Sequence, residues 1–366
     1  MTPMYIIVIA AFLLTPLLYS KKKIHESLGL TLFCVLLFFF SAFRGDFTAD
    51  YSNYRDIYAS FIGEKLSVFF DSNYNSLFPV EKGYGLLNFI LAKLFHDPQT
   101  IIIVTSAFIV WVYYKFGKKA DDKFLYILFL INIGSYFQSF NVTRQVLAAC
   151  ICMCAYTYVL EKKPLRYCLV VLLAVTFHVS SIVMLPFYWL LRLKINIRNA
   201  LLQIAITVVA FCSFDRIFAF ADKILFDGKY STYEPAGEVG LQAVVVPVAI
   251  CLFVVFILAT STIVTKKKLE ISPASPSAAT AKWQENAILY NGTIYWMLTY
   301  FMATKYYYLY RFSAYFCIYA ILGAVQATEC IKNKRIKMIV KSGLIFALSV
   351  YYVFFGQYFG NYIFCF

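Results

Sequence analysis

Apolar runs of roughly 17 to 25 residues recur along this chain, each long enough for a helix to cross about 30 Å of hydrocarbon. No other feature restricts the fold as much. Backbone in lipid has to satisfy its own hydrogen bonds, so a chain built of such runs folds as packed transmembrane helices. Composition agrees: 61% hydrophobic residues, 14% charged residues and a mean hydropathy of +0.71 would make a soluble domain aggregate. The expected class is all-α, a polytopic transmembrane helical bundle forming a single integral membrane domain over residues 1–366. The runs suggest about ten full spans, a short helical hairpin around His178 and an outer-face amphipathic helix.

The chain carries 33 Lys and Arg against 19 Asp and Glu, a formal charge of +14. Position tells what this charge is for. The basic clusters, Lys21 to Lys23, Lys118 with Lys119, Lys162 to Arg166, Arg192 to Arg198, Lys266 to Lys268 and Lys332 to Lys341, fall in the short gaps between apolar runs. That is the positive-inside pattern of a membrane protein, and it excludes a nucleic-acid groove. The ten cysteines sit almost entirely in apolar runs without paired metal-ligand spacing. Cys150, Cys152 and Cys154 come nearest to a cluster, but residues two apart point to different sides of a helix, so they read as small apolar fillers.

Lysine and arginine assign each span a direction. Met4 to Tyr19 runs inward from an outside N-terminus, and Leu28 to Phe43 returns. Residues 44–98 form an outer loop whose moderately apolar segment, Tyr84 to Phe95, is too short and polar to cross and reads as an amphipathic helix lidding or walling a cavity. Ile101 to Phe116 goes in, Phe124 to Phe140 out, and Arg144 to Leu160 in. Residues 165–193 are apolar but basic at both ends, which a hairpin of two short helices turning near His178 satisfies. Ala200 to Phe220, Leu241 to Val264, Asn286 to Thr304, Arg311 to Thr328 and Ile339 to Gly356 then alternate, leaving the C-terminus outside. Residues 266–284, with Ser272-Pro-Ala-Ser-Pro-Ser, read as a flexible cytoplasmic linker. No internal repeat is visible.

Sorted by side, the costly polar residues converge on the outer face. Arg44, Asp50, Tyr51 and Tyr54 follow the second span, with Thr48 an acceptable N-cap for a helix that puts Asp50 and Tyr54 one turn apart. Glu81 opens the amphipathic helix in Glu81-Lys82-Gly83-Tyr84-Gly85. Arg144, beside Gln145, stands at a helix start where a cation opposes the macrodipole, which suggests a ligand or a buried partner. His178 is a titratable group in an apolar hairpin, and Arg311 follows the tyrosines Tyr306, Tyr307, Tyr308 and Tyr310. Each has a plain reading too: dipole partner, core histidine, interfacial aromatic belt.

Taken in order, these residues resemble the EpsG family of polysaccharide-synthesis membrane proteins, related in role to Wzy-type O-antigen and capsule repeat-unit polymerases. The likeness rests on Arg44 with Asp50, Tyr51 and Tyr54; Glu81-Lys82-Gly83-Tyr84; Asn141 to Gln145 with Leu147-Ala148; Phe177-His178-Val179-Ser180; and Arg311 with Tyr315-Phe316. It implies a metal-independent glycosyltransferase without cofactor, in a bacterial cytoplasmic membrane. Such an enzyme joins undecaprenyl-diphosphate-linked oligosaccharides at the outer leaflet, among membrane lipids, with a chain-length regulator as a further partner. Arg44, Arg144 and Arg311 would then bind diphosphate, and Asp50, Glu81 or His178 would act as the base. Burial would raise a carboxylate pKa and lower a histidine's, moving either towards a working base. Tyr51, Tyr54, Gln145 and Tyr310 would meet substrate. Two further readings are a membrane acyltransferase acting on the same glycans, which would need polar residues reaching the inner face, and a lipid-linked oligosaccharide flippase, which should show duplicated halves.

Overall fold

The structure, a computed structural model, describes residues 3–20, 22–48, 50–71, 73–133, 135–213, 216, 241–271, 276–303 and 307–355. These are all-helical, with no strand among them. In chain order the helices are α1 (Pro3–Leu13), α2 (Thr15–Leu18), α3 (Lys23–Ala42), α4 (Tyr51–Ser60), α5 (Tyr74–Leu77), α6 (Lys82–Leu94), α7 (Gln99–Gly117), α8 (Lys123–Ile133), α9 (Thr143–Cys154), α10 (Tyr156–Leu160), α11 (Pro164–Val175), α12 (Phe187–Leu190), α13 (Ile197–Cys212), α14 (Leu241–Ile271), α15 (Pro276–Met302), α16 (Cys317–Cys330) and α17 (Lys334–Phe355). Short 3-10 turns cover Leu66–Phe70, Phe137–Phe140, Val179–Met184 and Tyr307–Tyr315.

Among the described residues, four segments are long and apolar enough to cross a bilayer: Lys23–Ala42, Gln99–Gly117, Thr143–Leu160 and Val245–Ile263. Shorter apolar helices include Lys123–Ile133, Pro164–Val175 and Cys317–Cys330. Several expected spans are therefore interrupted. The first is split at Leu14, just before Pro16, whose ring removes a donor and favours a helix start. Phe124 to Phe140 is helical only to Ile133 and resumes as the 3-10 turn Phe137–Phe140. At this break the side chains find distant partners: Tyr113 and Ser135 share a hydrogen bond of 2.5 Å, and the Tyr136 hydroxyl donates to the Leu37 carbonyl at 2.7 Å. Residues 266–284, expected as a flexible linker, are helical up to Ile271 and again from Pro276, a residue suited to a first helical turn. Residues 272–275, Tyr306, the end of the span Ala200 to Phe220, and the C-terminal residues from 356 on lie outside the described residues.

Contacts group the chain into two compact units, Met1–Tyr188 with Ala324–Phe366, and Trp189–Gly323. In the first, α3, α7 and α9 pack side by side and α11 lies against α9. Helix α11 ends at Val175, His178 is extended (φ −158°, ψ 116°), and the chain turns back so that the Tyr167 hydroxyl reaches the Met184 carbonyl at 2.8 Å. Between α3 and α7 the loop folds around α4 and α6. The Tyr51 hydroxyl donates to Gln99 at 2.6 Å, and the Gln99 amide donates to the Ala42 carbonyl at 2.8 Å, pinning α4 to the ends of α3 and α7. In the second unit α14 packs along α15, and Gly292 makes room for the Tyr319 ring, where any side chain would collide.

Candidate functional site

Three distant stretches of the first unit meet at one carboxylate. Glu81 is the N-cap residue of α6, yet its side chain makes no cap bond there. Its Oε2 accepts from Arg144 Nη1 at 2.7 Å, and its Oε1 accepts from the Val179 amide at 3.2 Å and lies 3.1 Å from His178 Nδ1. The side chains of Glu81, Arg144 and His178 are each 20% exposed, so they are largely desolvated and still reachable.

The local sequence explains the meeting. The first amides of a helix lack intrahelical acceptors, and in α6 those of Gly83 and Tyr84 donate to the Thr176 carbonyl at 2.8 and 3.2 Å. This close approach is what Gly83 permits, because a Cβ there would overlap Thr176; at Gly85 a Cβ would overlap the Tyr74 hydroxyl. The end of α11 is thus bolted to the start of α6, and the extended residue two positions on, His178, is delivered to Glu81. Arg144 arrives from the first turn of α9, where its charge opposes the helix dipole. Glu81 supplies the buried partner that this placement calls for, and the guanidinium also lies 5.9 Å from the Tyr84 ring centroid.

Two opposing effects act on Glu81, which lies outside the spans. Burial pushes its pKa up, while the His178 hydrogen bond and the Arg144 and His178 charges pull it down and prevail, leaving it lowered to about 2. The sequence led us to expect a raised carboxylate; the ion pairs reverse that direction. A carboxylate held ionised only accepts hydrogen bonds, so His178 donates to it through Nδ1.

The other candidates are placed as follows. Arg44 is 1% exposed, bonded to the Ser41 carbonyl, to Ser106 at 3.4 Å and to Thr143 at 3.2 Å, and it covers the Phe140 ring at 5.2 Å. It is built into the fold beside Arg144's chain neighbour rather than turned to a lipid headgroup. Asp50 is the N-cap residue of α4; Thr48, expected in that role, instead donates to the Phe140 carbonyl at 3.0 Å. Tyr51 and Tyr54 are buried, so neither offers an open ring face for a sugar. The Tyr54 hydroxyl donates to the Asn141 carbonyl at 3.1 Å amid the charges of Arg144, Asp50 and Arg44, and burial raises its pKa. Its ring meets that of Tyr84 edge-on, with 6.3 Å between centroids. Gln145 is buried within α9. Arg311 and Tyr310 belong to the second unit, in the turn Tyr307–Tyr315, with Tyr310 edge-on to Tyr300 at 5.2 Å. The structure thus gathers Glu81, His178 and Arg144, with Tyr54 beside them under the charges of Arg144, Asp50 and Arg44.

Sequence reasoning gave no part to Thr176, Gly83, Gly85 or the ring of Tyr84. Two glycines inside one helical turn are costly unless the backbone is closely approached, and that was the available signal.

Membrane-crossing helices with a mostly buried carboxylate, arginine and histidine define a class of membrane protein with a built polar site. A family model described as the EpsG family matches residues 27–365, nearly the whole chain. The chain belongs to that family, whose character is that of a membrane polysaccharide-synthesis protein. No curated protein and no solved structure matches it.

Proposed function

We propose that this protein is a repeat-unit polymerase, a glycosyltransferase that joins undecaprenyl-diphosphate-linked oligosaccharides at the outer face of a bacterial cytoplasmic membrane. The growing chain leaves its lipid diphosphate as its anomeric carbon bonds to a hydroxyl of the next lipid-linked unit. That hydroxyl gives up a proton, and the departing diphosphate gains a negative charge.

The observation that carries the reading is the coupling of Glu81 to both His178 and Arg144. Among Asp50, Glu81 and His178, the histidine suits the base: Glu81 with a pKa of about 2 binds protons poorly at neutral pH, while it accepts from His178 Nδ1 and leaves Nε2 to face the acceptor hydroxyl. With His178 neutral, Glu81 and Arg144 cancel. When His178 takes the acceptor proton the cluster becomes net positive, just as the diphosphate needs a counter-charge. Arg144 suits that role, since a guanidinium has five N–H donors and pairs bidentately with phosphate. Arg44 then acts as a positioning residue through Thr143, and Tyr54 and Tyr84 shape the wall around Arg144. Diphosphate binding by Arg311 rests on the sequence motif.

Gene deletion followed by sizing of surface and lipid-linked glycan tests the activity. Loss of a polymerase leaves single repeat units on the lipid acceptor or carrier. Loss of a flippase holds units inside, and loss of an acyltransferase leaves chain length unchanged; either result removes the proposal.

A further inference from the structure

The loop between α4 and α6 carries an open surface recess of about 550 Å³, lined by Ser60, Glu64, Ser67, Phe70, Asp71 and Phe78 together with Val68 and Leu77. Three aromatic rings nearby are spoken for: Phe61 stacks on Phe78 at 4.3 Å and on Phe69 at 6.1 Å. Phe70 is different. It is 85% exposed at the mouth of a recess that also presents two carboxylates and two serine hydroxyls. The Asp71 carboxylate is already oriented by the Asn73 amide, which donates to Oδ1 at 2.8 Å.

The recess is tied to the Glu81 cluster. Phe78 precedes Glu81 by three residues, a reach of at most about 11 Å. Lys82, next to Glu81, donates from Nζ to the Phe69 carbonyl at 2.9 Å and stands over the Tyr74 ring at 5.5 Å. Whatever occupies the recess is therefore within a short oligosaccharide of Glu81.

We propose that this recess is a subsite for the glycan itself, taking a neutral or amino sugar of a repeat unit whose diphosphate end lies at Glu81, His178 and Arg144. The inference rests on the polymerase reading. Carboxylates and serines accept and donate hydrogen bonds to sugar hydroxyls, and an exposed ring offers an apolar face to a pyranose. No cation is among the described lining residues, so a phosphate or acidic sugar is repelled there. Lipid is the competing occupant, because Leu66, Phe70 and Leu77 are exposed. Immersing them would carry Glu64 and Asp71 towards the hydrocarbon and against anionic headgroups, both unfavourable.

The test is direct binding in nanodiscs of fragments, one to several repeat units long, cut from the producing bacterium's own surface polysaccharide. Wild-type protein is expected to bind them saturably, and Phe70→Ala, the pair Glu64→Gln with Asp71→Asn, and the blocking variant Ser67→Trp to weaken binding at least tenfold. Gly343→Ala, which meets open space in α17, is expected to bind as wild type does. Wild-type protein that binds no fragment, recess variants that bind normally, or fluorescence of Phe70→Trp quenched by brominated acyl chains beyond the quenching of wild type would overturn the inference. Unchanged glycan chain length after gene deletion would remove the polymerase reading instead, so the two failures are told apart.

Discussion

Arg144 and Glu81 hold each other's charge in a largely desolvated place, and removing one partner there leaves the other stranded. Arg144→Lys keeps the charge but not the planar fork, which pairs with Glu81 and in the proposed reaction would hold a phosphate as well. We expect it to reduce chain extension at least tenfold at unchanged protein level, read from glycan ladders; wild-type ladders would contradict the assignment. The pH dependence follows from the lowered Glu81 pKa of about 2 against an ordinary 4.5. A depressed carboxylate stabilises the fold fully above its unfolded pKa, and this is lost as pH falls from about 4.5 through 2; the shift corresponds to about 3 kcal/mol. Melting curves in detergent should therefore show wild type above Glu81→Gln at pH 7, with the gap closing near pH 3. A gap unaltered between those pH values would show that the carboxylate is not held in this way. At this scale the sequence was legible in part. Arg144 was singled out because it opposes a helix dipole, and His178 because it is titratable in an apolar hairpin. The direction of the Glu81 shift was not legible, since it depends on two partners 63 and 97 residues away in the chain.

Helix α6 and the end of α11 work as one element because two amides of α6 share the Thr176 carbonyl. Gly83→Ala should force them apart, at a cost of about 1–3 kcal/mol, and release His178 from Glu81. The expected result is a lower melting temperature together with lost chain extension, whereas Gly343→Ala, which meets open space in α17, should change neither. If Gly83→Ala melts and extends chains as wild type does, the bolt is not needed. Hydrophobic periodicity and basic flanks made the hairpin and the short α6 readable in advance. They did not reveal the break after Ile133 or the helical course of 266–271 and 276–284. Those depend on side chains such as Ser135 and Tyr136 finding distant hydrogen-bond partners, and on proline accepting a helix start.

At the scale of the whole molecule, the four crossing-length helices and several shorter apolar ones among the described residues fit a membrane protein, and the family match covers nearly the entire chain. Sidedness is the remaining expectation. Lys82 and Lys163 are both exposed and are separated from one another by the length of α11, about 18 Å along its axis. In a cysteine-free background Lys82→Cys should react with an impermeant thiol reagent from outside, and Lys163→Cys only after permeabilisation; labelling of both from one side would contradict the topology. The central claim is that His178, oriented by Glu81, takes the acceptor proton beside Arg144. It is tested most directly with purified protein in liposomes supplied with lipid-linked repeat units, following chain length over time. The account predicts extension by wild type and a loss of at least a hundredfold in His178→Ala; extension by His178→Ala at the wild-type rate would contradict it.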